Sequence, residues 1–557
     1  MPTYNHDRFL RYDELTALLH ETAAAYPTLM TVQSYGISHE GRDLWLATIT
    51  DSHTGSHDSK SAHWVDANIH SVEVTASVAA LRLINHLVTG YGTDATVTRA
   101  LQTRTFYVVP RVNPDGVEWA LADSPQYRRS STRAWPWNDA HRASGLHEQD
   151  MDGDGRVLSM RIVDPNGSWM KSTEDGRLMV PVPIDGTPAD VTRYRIMYEG
   201  EVVDHDGFTI PIPDSPQSLD LNRNFPAGWA TNVYGSGDHP LSEPEIDALV
   251  RAIVARPNIC GYNAYHTSGG VLLRPSSTQA DSALAPFDVW AWKQLGQRGL
   301  ELTGYPVHSV FEDFTWDKTS TMSGAADDWV YEHLGVFGWT TEFWDIIRAA
   351  TGEPSGTDIW YVGPSTEQEL AVLRWADANH PEIFIDWYPF EHPQLGSIEL
   401  GGWDFMNSWV NPPFGQLAAE VDGHAEFAVY QALAAPSVEI VHTAIRALGG
   451  NTWSVQIGIA NTGWLPTAVS VKGSKDARVL PLVAELSGED VAVVDGTARR
   501  ELGQLEGRSA IRFNNSHDGT PDRVSATWVV SAPANSIATI DVSHPRAGRT
   551  SISLTIC

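Results

Sequence analysis

His70 and Glu73 stand three residues apart in the run His70-Ser71-Val72-Glu73, a spacing at which one tight turn can aim an imidazole and a carboxylate at a single ion. A His-x-x-Glu pair of this size recurs by chance in long chains, so it needs a third donor. His266 supplies one, at the end of the apolar run 259–265 and just before the turn Thr267-Ser268-Gly269-Gly270. Two histidines and one glutamate form the ligand set of a catalytic zinc site, with a fourth position left for water. The competing reading of His266 is a histidine that only satisfies a strand end.

Other chemistry-bearing runs follow in order. Asn113-Pro114-Asp115-Gly116 comes after a strand-like segment, then Tyr127-Arg128-Arg129, then Asp220-Leu221-Asn222-Arg223-Asn224 ahead of His266, and finally Thr341-Glu342 at the close of the run 336–340. In order and context these runs, with the early GISHEGRDL segment at 36–44, resemble the M14 zinc carboxypeptidase family. The resemblance covers residues 10 to 390 apart from an insertion. It implies zinc ligands His70, Glu73 and His266, with Asp220 orienting His70. It further implies Arg128 as oxyanion stabiliser, Asn222 and Arg223 as anchors for a substrate's terminal carboxylate, and Glu342 as general base.

Asp327, in Asp327-Asp328-Trp329 thirteen residues before Glu342, matches the pocket position where an acid goes with Lys or Arg specificity; a solvated loop acid is the alternative. The sequence departs from the family pattern at Val72, where carboxypeptidase A has an arginine, and at Ser268, where a tyrosine is expected. It also departs at Ser320, which stands where the substrate-capping tyrosine is expected.

Asp150, Asp152 and Asp154 alternate in DMDGDG like the first half of an EF-hand loop and suggest a structural Ca²⁺. The twelfth position holds Arg161, leaving Asp164 as the substitute acid, and a plain Asp-Gly turn is the competing reading.

The elements that must position these residues are legible in the periodicity. An amphipathic helix is expected at 12–26, a strand pair at 31–35 and 44–50, a strand at 63–69 ending beside His70, a helix at 75–88 and a strand at 105–112. A helix at 242–255 opens with the capping-box pattern Ser242-x-x-Glu245. Alternating strands and helices predict an α/β fold, a mixed, mainly parallel sheet sandwiched by helices, with ligands at the strands' carboxyl ends. Residues 134–217 read as an irregular insertion within a catalytic domain spanning 1–435. Residues 436–557, with short strands at 452–459, 467–471 and 525–530, read as an all-β sandwich.

Composition bounds the rest. The 557 residues carry 69 acidic against 38 basic side chains, a net charge of −31, which opposes nucleic acid and anionic membranes and attracts cationic peptides; acidity that only keeps the protein in solution or reflects a salty host is the competing reading. The two cysteines, Cys260 and Cys557, give no disulfide framework, and the N-terminal MPTYNHDRFL has no secretory pattern, so a cytoplasmic location is expected. The expected partner is a peptide with a free C-terminus. Two alternatives stay open: a cell-wall peptide bearing diaminopimelate as substrate, and a catalytically silent peptide-binding protein, for which an intact Glu342 is superfluous.

Overall fold

The computed structural model describes residues 4–136, 142–185, 191–315, 317–319, 321–510 and 518–557. Eight strands build the central sheet: β1 (Met30–Ile37), β2 (Asp43–Ile49), β3 (Ser61–Ala67), β4 (Arg104–Val109), β5 (Ile259–Thr267), β6 (Val271–Arg274), β7 (Val307–Ser309) and β8 (Phe337–Phe343). Their order is β1-β2-β4-β3-β5-β8-β6-β7. The neighbours β4, β3, β5 and β8 run parallel, whereas β1, β2 and β6 are antiparallel to their inner partners. The sheet is therefore mixed with a parallel centre, as the alternation implied.

Both faces of that centre are covered, which explains why β3 and β4 are buried along their whole length. Val65, Ala67, Phe106 and Val108 join one core, shared with the helices Val74–Gly90, Pro286–Thr303 and Phe414–Ala434. The alternate residues Trp64, Tyr107 and Val109 join the opposite core, against the helix Pro244–Val254 and the segment 326–336. Period-two alternation thus feeds two cores from one strand.

At the carboxyl end of β3 the chain must turn sharply into the helix Val74–Gly90, and Asn68 makes the turn in a left-handed conformation (φ 59°). Its side-chain Nδ2 donates to the His70 carbonyl at 2.6 Å, and its Oδ1 accepts from the Ser77 hydroxyl at 2.8 Å. An asparagine tolerates this backbone better than a branched residue does. Glu73 sits at the helix N-cap, and its side chain makes no cap bond, which leaves the carboxylate for the site.

Three sequence expectations fail. The helix at 242–255 begins at Pro244 with Glu243 as N-cap, one residue after Ser242, so Glu245 is out of register for a capping box and accepts from the His39 backbone N–H at 2.7 Å instead. The strand expected at 467–471 is absent; that stretch leads instead into a short helix, Val471–Lys475. The insertion is not irregular. Ser159–Val163, Trp169–Lys171, Met179–Pro181 and Arg193–Tyr198 join Phe384–His392 and Gly396–Trp403 in a six-stranded sheet, a pairing across more than two hundred residues.

The C-terminal region forms two four-stranded sheets, all of whose pairs are antiparallel, with Ile457, Trp528, Ile540 and Val542 in the core between them. It touches the α/β part where Ser61 Oγ donates to the Pro436 and Arg546 carbonyls and where Val471 N–H donates to Asp288 at 2.8 Å. Among the described residues no helix is long and apolar enough to cross a membrane.

Candidate metal centre and active-site cleft

Three donors converge at the carboxyl ends of β3 and β5. His70 Nδ1 lies 2.8 Å from Glu73 Oε1, His266 Nδ1 lies 3.0 Å from Glu73 Oε2, and the two Nδ1 atoms are 3.1 Å apart. All three residues are buried. On the far side of its ring, His70 Nε2 is 3.1 Å from Asp220 Oδ1; with Nε2–H donating to that carboxylate, the neutral imidazole has its Nδ1 lone pair free for a cation on the Glu73 side. Two facing ring nitrogens and a buried carboxylate aimed at one point form a donor set that fits a divalent cation, and the donor atoms lie within 4.8 Å of one another. The sequence-expected triad and Asp220 are thus brought together.

Asp220 is held by its own turn. It caps the short helix Leu221–Arg223, accepting from Asn222 N–H at 2.8 Å. Burial opposes its charge, but Arg129 and His70 hold its carboxyl well below the usual carboxylate range.

The arginine at the centre is Arg129, not Arg128. Arg129 Nη1 lies 3.2 Å from Glu73 Oε1 and its Nε 3.2 Å from Asp220 Oδ2. Arg128 faces the other way, donating to Gln217 at 3.1 Å and lying over the Trp119 ring. The cause is the backbone between them. Ser71 donates its hydroxyl to the Arg128 carbonyl and its N–H to the Arg129 carbonyl at 3.2 Å, which fixes which of the two adjacent side chains turns inward.

The NPDG run explains how this segment is held against the β3 end. Asn113 donates to the Ser130 carbonyl at 2.7 Å and the Ile69 carbonyl at 3.3 Å, and Ser130 Oγ donates to the same Ile69 carbonyl at 2.7 Å. Gly116 is required there, since a Cβ would stand 2.6 Å from the Ser130 oxygen and 2.7 Å from Ser71 Cβ.

Glu342 lies within β8 rather than after it, and the parallel register sets it directly beside His266. Burial raises its pKa well above the usual carboxyl range, against the pull of His266. Glu342, the triad, Arg129, Asn222, Arg223 and Asp327 all line one cavity of about 180 Å³. Asn222 Oδ1 accepts from Ala326 N–H at 3.0 Å, which leaves its amide N–H groups as donors and ties it to the segment carrying Asp327. Arg223 spends one N–H on the Asn222 carbonyl at 2.7 Å.

Of the two neighbouring acids, Asp327 lines the cavity, whereas Asp328 turns to the Ser277 N–H at 3.0 Å. Burial raises both, and Asp327's charge pushes Asp328 further. The same cavity carries an apolar cluster on its wall, Leu273, Val310, Phe314 and Met322. Ser320 lies outside the described residues. Val72 and Ser268 border a second cavity next to the first.

The DMDGDG loop behaves differently from the calcium expectation. Asp150 accepts from Gly153 and Gly155 N–H at 2.7 and 2.9 Å, and Asp154 pairs with Arg156 at 2.8 Å. Arg161 pairs with Glu399 at 2.7 Å and Asp164 with Arg195 at 2.8 Å, so neither closes the loop. Asp150 and Asp152 approach Glu199 instead of Asp154, and Glu199 itself accepts from Met151 and Leu158 N–H. These contacts match a self-capped Asp-Gly turn.

The family model described as zinc carboxypeptidase matches residues 15–352, and one for a domain of unknown function matches residues 437–555. A zinc carboxypeptidase of Saccharothrix mutabilis subsp. capreolus is 30% identical over 158 residues, 28% of this chain and 31% of that protein. Carboxypeptidase B of Astacus astacus is 29% identical over 158 residues, covering 28% of this chain and 43% of that protein. The matched stretch thus spans less than half the length of these curated relatives. Carboxypeptidase A from Helicoverpa armigera is 19% identical, with a TM-score of 0.40 over 69% of this chain and 78% of that structure.

Proposed function

The chain belongs to the zinc carboxypeptidase family, and from that premise we propose that it hydrolyses the last peptide bond of peptides with a free C-terminus. The observation that supports this best is the convergence of His70, Glu73 and His266 with Glu342 in register beside His266. When bound by those three residues, zinc supplies Lewis-acid polarisation of a carbonyl and acidification of water.

The chain's own groups do the rest. Arg223 and the Asn222 amide hold the terminal carboxylate, a planar fork and a neutral donor on the wall of the cavity. Arg129 donates N–H groups to the scissile carbonyl oxygen as negative charge builds there. Glu342 takes the proton from the attacking water and delivers it to the leaving amine, a task that suits a carboxyl whose pKa burial has raised towards neutrality. Asp327, which lines the cavity together with Leu273 and Val310, favours a terminal Lys or Arg, whose methylene stem packs on the apolar side chains while its cation meets the carboxylate.

Metal analysis with kinetics tests the proposal. Purified protein should hold one zinc per chain, lose it in His266→Ala, and keep it in Glu342→Gln while turnover falls by about 10² or more. Wild-type turnover in Glu342→Gln, or full zinc in His266→Ala, overturns it. A silent binding protein would retain zinc yet release no amino acid.

A further inference from the structure

A second cavity, about 430 Å³, adjoins the first and is walled largely by aromatic and aliphatic side chains, among them Trp344, Ile359, Trp360, Trp403, Phe405 and Trp409. The two cavities share Glu73, Arg129, Thr267, Ser268 and Trp360, whereas Asn222, Arg223 and Asp327 border only the first. The opening between them is therefore on the Glu73 and Arg129 side of the metal centre, since His70, His266 and Glu342 border only the first. A peptide whose terminal residue fills the first cavity and whose chain passes Arg129 and Ser268 enters this apolar cleft.

The cleft is built rather than incidental. Trp403 packs edge-on against Phe384 and Trp409, with centroids 4.8 and 6.0 Å apart, and Trp344 donates its indole N–H to the Ser408 carbonyl at 2.5 Å. Trp344 also holds a left-handed backbone (φ 68°), unusual for so bulky a residue, pinned by the Tyr305 hydroxyl on its N–H and by Gly269 N–H on its carbonyl. At the mouth, Trp360 and Phe405 remain 46% and 58% exposed, apolar surface that a ligand side chain would cover. Five of these wall residues, from Ile359 to Trp409, lie beyond residue 352, where the family match ends.

We propose that this cleft is the subsite for a large apolar, preferably aromatic, side chain on the residue immediately before the bond cleaved. The inference rests on the carboxypeptidase reading and deepens it. With an acid selecting the terminal residue, the preferred substrates end in an aromatic residue followed by Lys or Arg.

The test is a series of N-blocked dipeptides with one C-terminal residue, the best for the wild type, and Gly, Ala, Leu, Phe or Trp before it. From the apolar area a phenyl ring removes from water, kcat/KM for Phe should exceed that for Gly by about 10-fold or more. Phe405→Ala and Trp360→Ala, both at exposed positions, should lower the Phe-to-Gly ratio by several fold, and Phe405→Leu should restore part of it. Equal turnover across the series, or an unchanged ratio in both alanine variants, overturns the inference while the carboxypeptidase reading stands. No turnover of any member by zinc-loaded wild type overturns that reading, and the inference falls with it.

Discussion

Replacing Arg129 by alanine separates the structure's account of the centre from the one implied by sequence resemblance. The Arg129 side chain is half exposed, but its two charge-assisted contacts of 3.2 Å go to the buried carboxylates of Glu73 and Asp220, so in zinc-free protein its loss should cost folding stability more than the roughly 1 kcal/mol of a surface pair. The transition state depends on it further, because charge develops on the carbonyl oxygen as the carbonyl is attacked. Removing one such donor typically costs about 10²–10³ in kcat, or roughly 3–4 kcal/mol. Arg128→Ala loses a hydrogen bond to Gln217 and the Trp119 stack, both away from the triad, and should stay within about threefold of wild type. Arg129→Lys keeps the charge without the fork and should fall between. The assay is kcat/KM on a blocked dipeptide, with zinc measured in every sample because Arg129 also touches Glu73. A hundredfold loss in Arg128→Ala beside near-normal Arg129→Ala would refute the assignment.

Other outcomes follow from the same geometry. Asp327→Ala should lower kcat/KM for substrates ending in Arg or Lys by about 10² or more, the cost of unpairing a buried charge, and narrow the gap to Phe or Leu; an untouched Arg preference removes Asp327 from specificity. Burial raises Asp66 to about 6 in the folded chain, so its penalty is full above that pH, fades as pH falls, and vanishes below the unfolded value near 4. Asp66→Asn in zinc-free protein should therefore raise stability by roughly 3 kcal/mol at pH 8 and hardly at all at pH 4, readable as a melting shift; the opposite pH trend contradicts it. Cys260 is buried and its thiol is pushed up to about 11, whereas Cys557 is exposed. Iodoacetamide at pH 8 should label Cys557 alone until the protein unfolds, and prompt labelling of Cys260 would show that β5 opens in the native state.

The residues that meet at the metal centre were largely legible in the sequence, since each lies at a strand end or in a short run whose local order survives folding. His70, Glu73, His266, Asp220 and Glu342 are of this kind. Arg129 was missed because the doublet Arg128-Arg129 offers two identical side chains, and the choice is made by Ser71, fifty-eight residues away in the chain, through its bonds to both carbonyls. The insertion was misread for a similar reason. Its strands are short, and they become a sheet only by pairing with Phe384–His392 and Gly396–Trp403, a register that no local pattern carries. The Ser242-x-x-Glu245 pattern fails because the helix opens at Pro244 with Glu243 at the cap, which puts Glu245 one residue out of register. The aromatic cleft assembles residues from 344 to 410 at irregular spacing, so neither helical nor strand periodicity points to it.

The most direct measurement of the central claim is mass spectrometry of one peptide ending in Phe-Arg, in free-acid and C-amidated forms, incubated with the zinc-loaded protein. The account predicts loss of a single C-terminal residue from the free acid, abolished by chelation and restored by zinc, and no cleavage of the amidated form, which offers Arg223 and Asn222 no carboxylate. Equal cleavage of both forms, or cleavage at internal bonds, would contradict it.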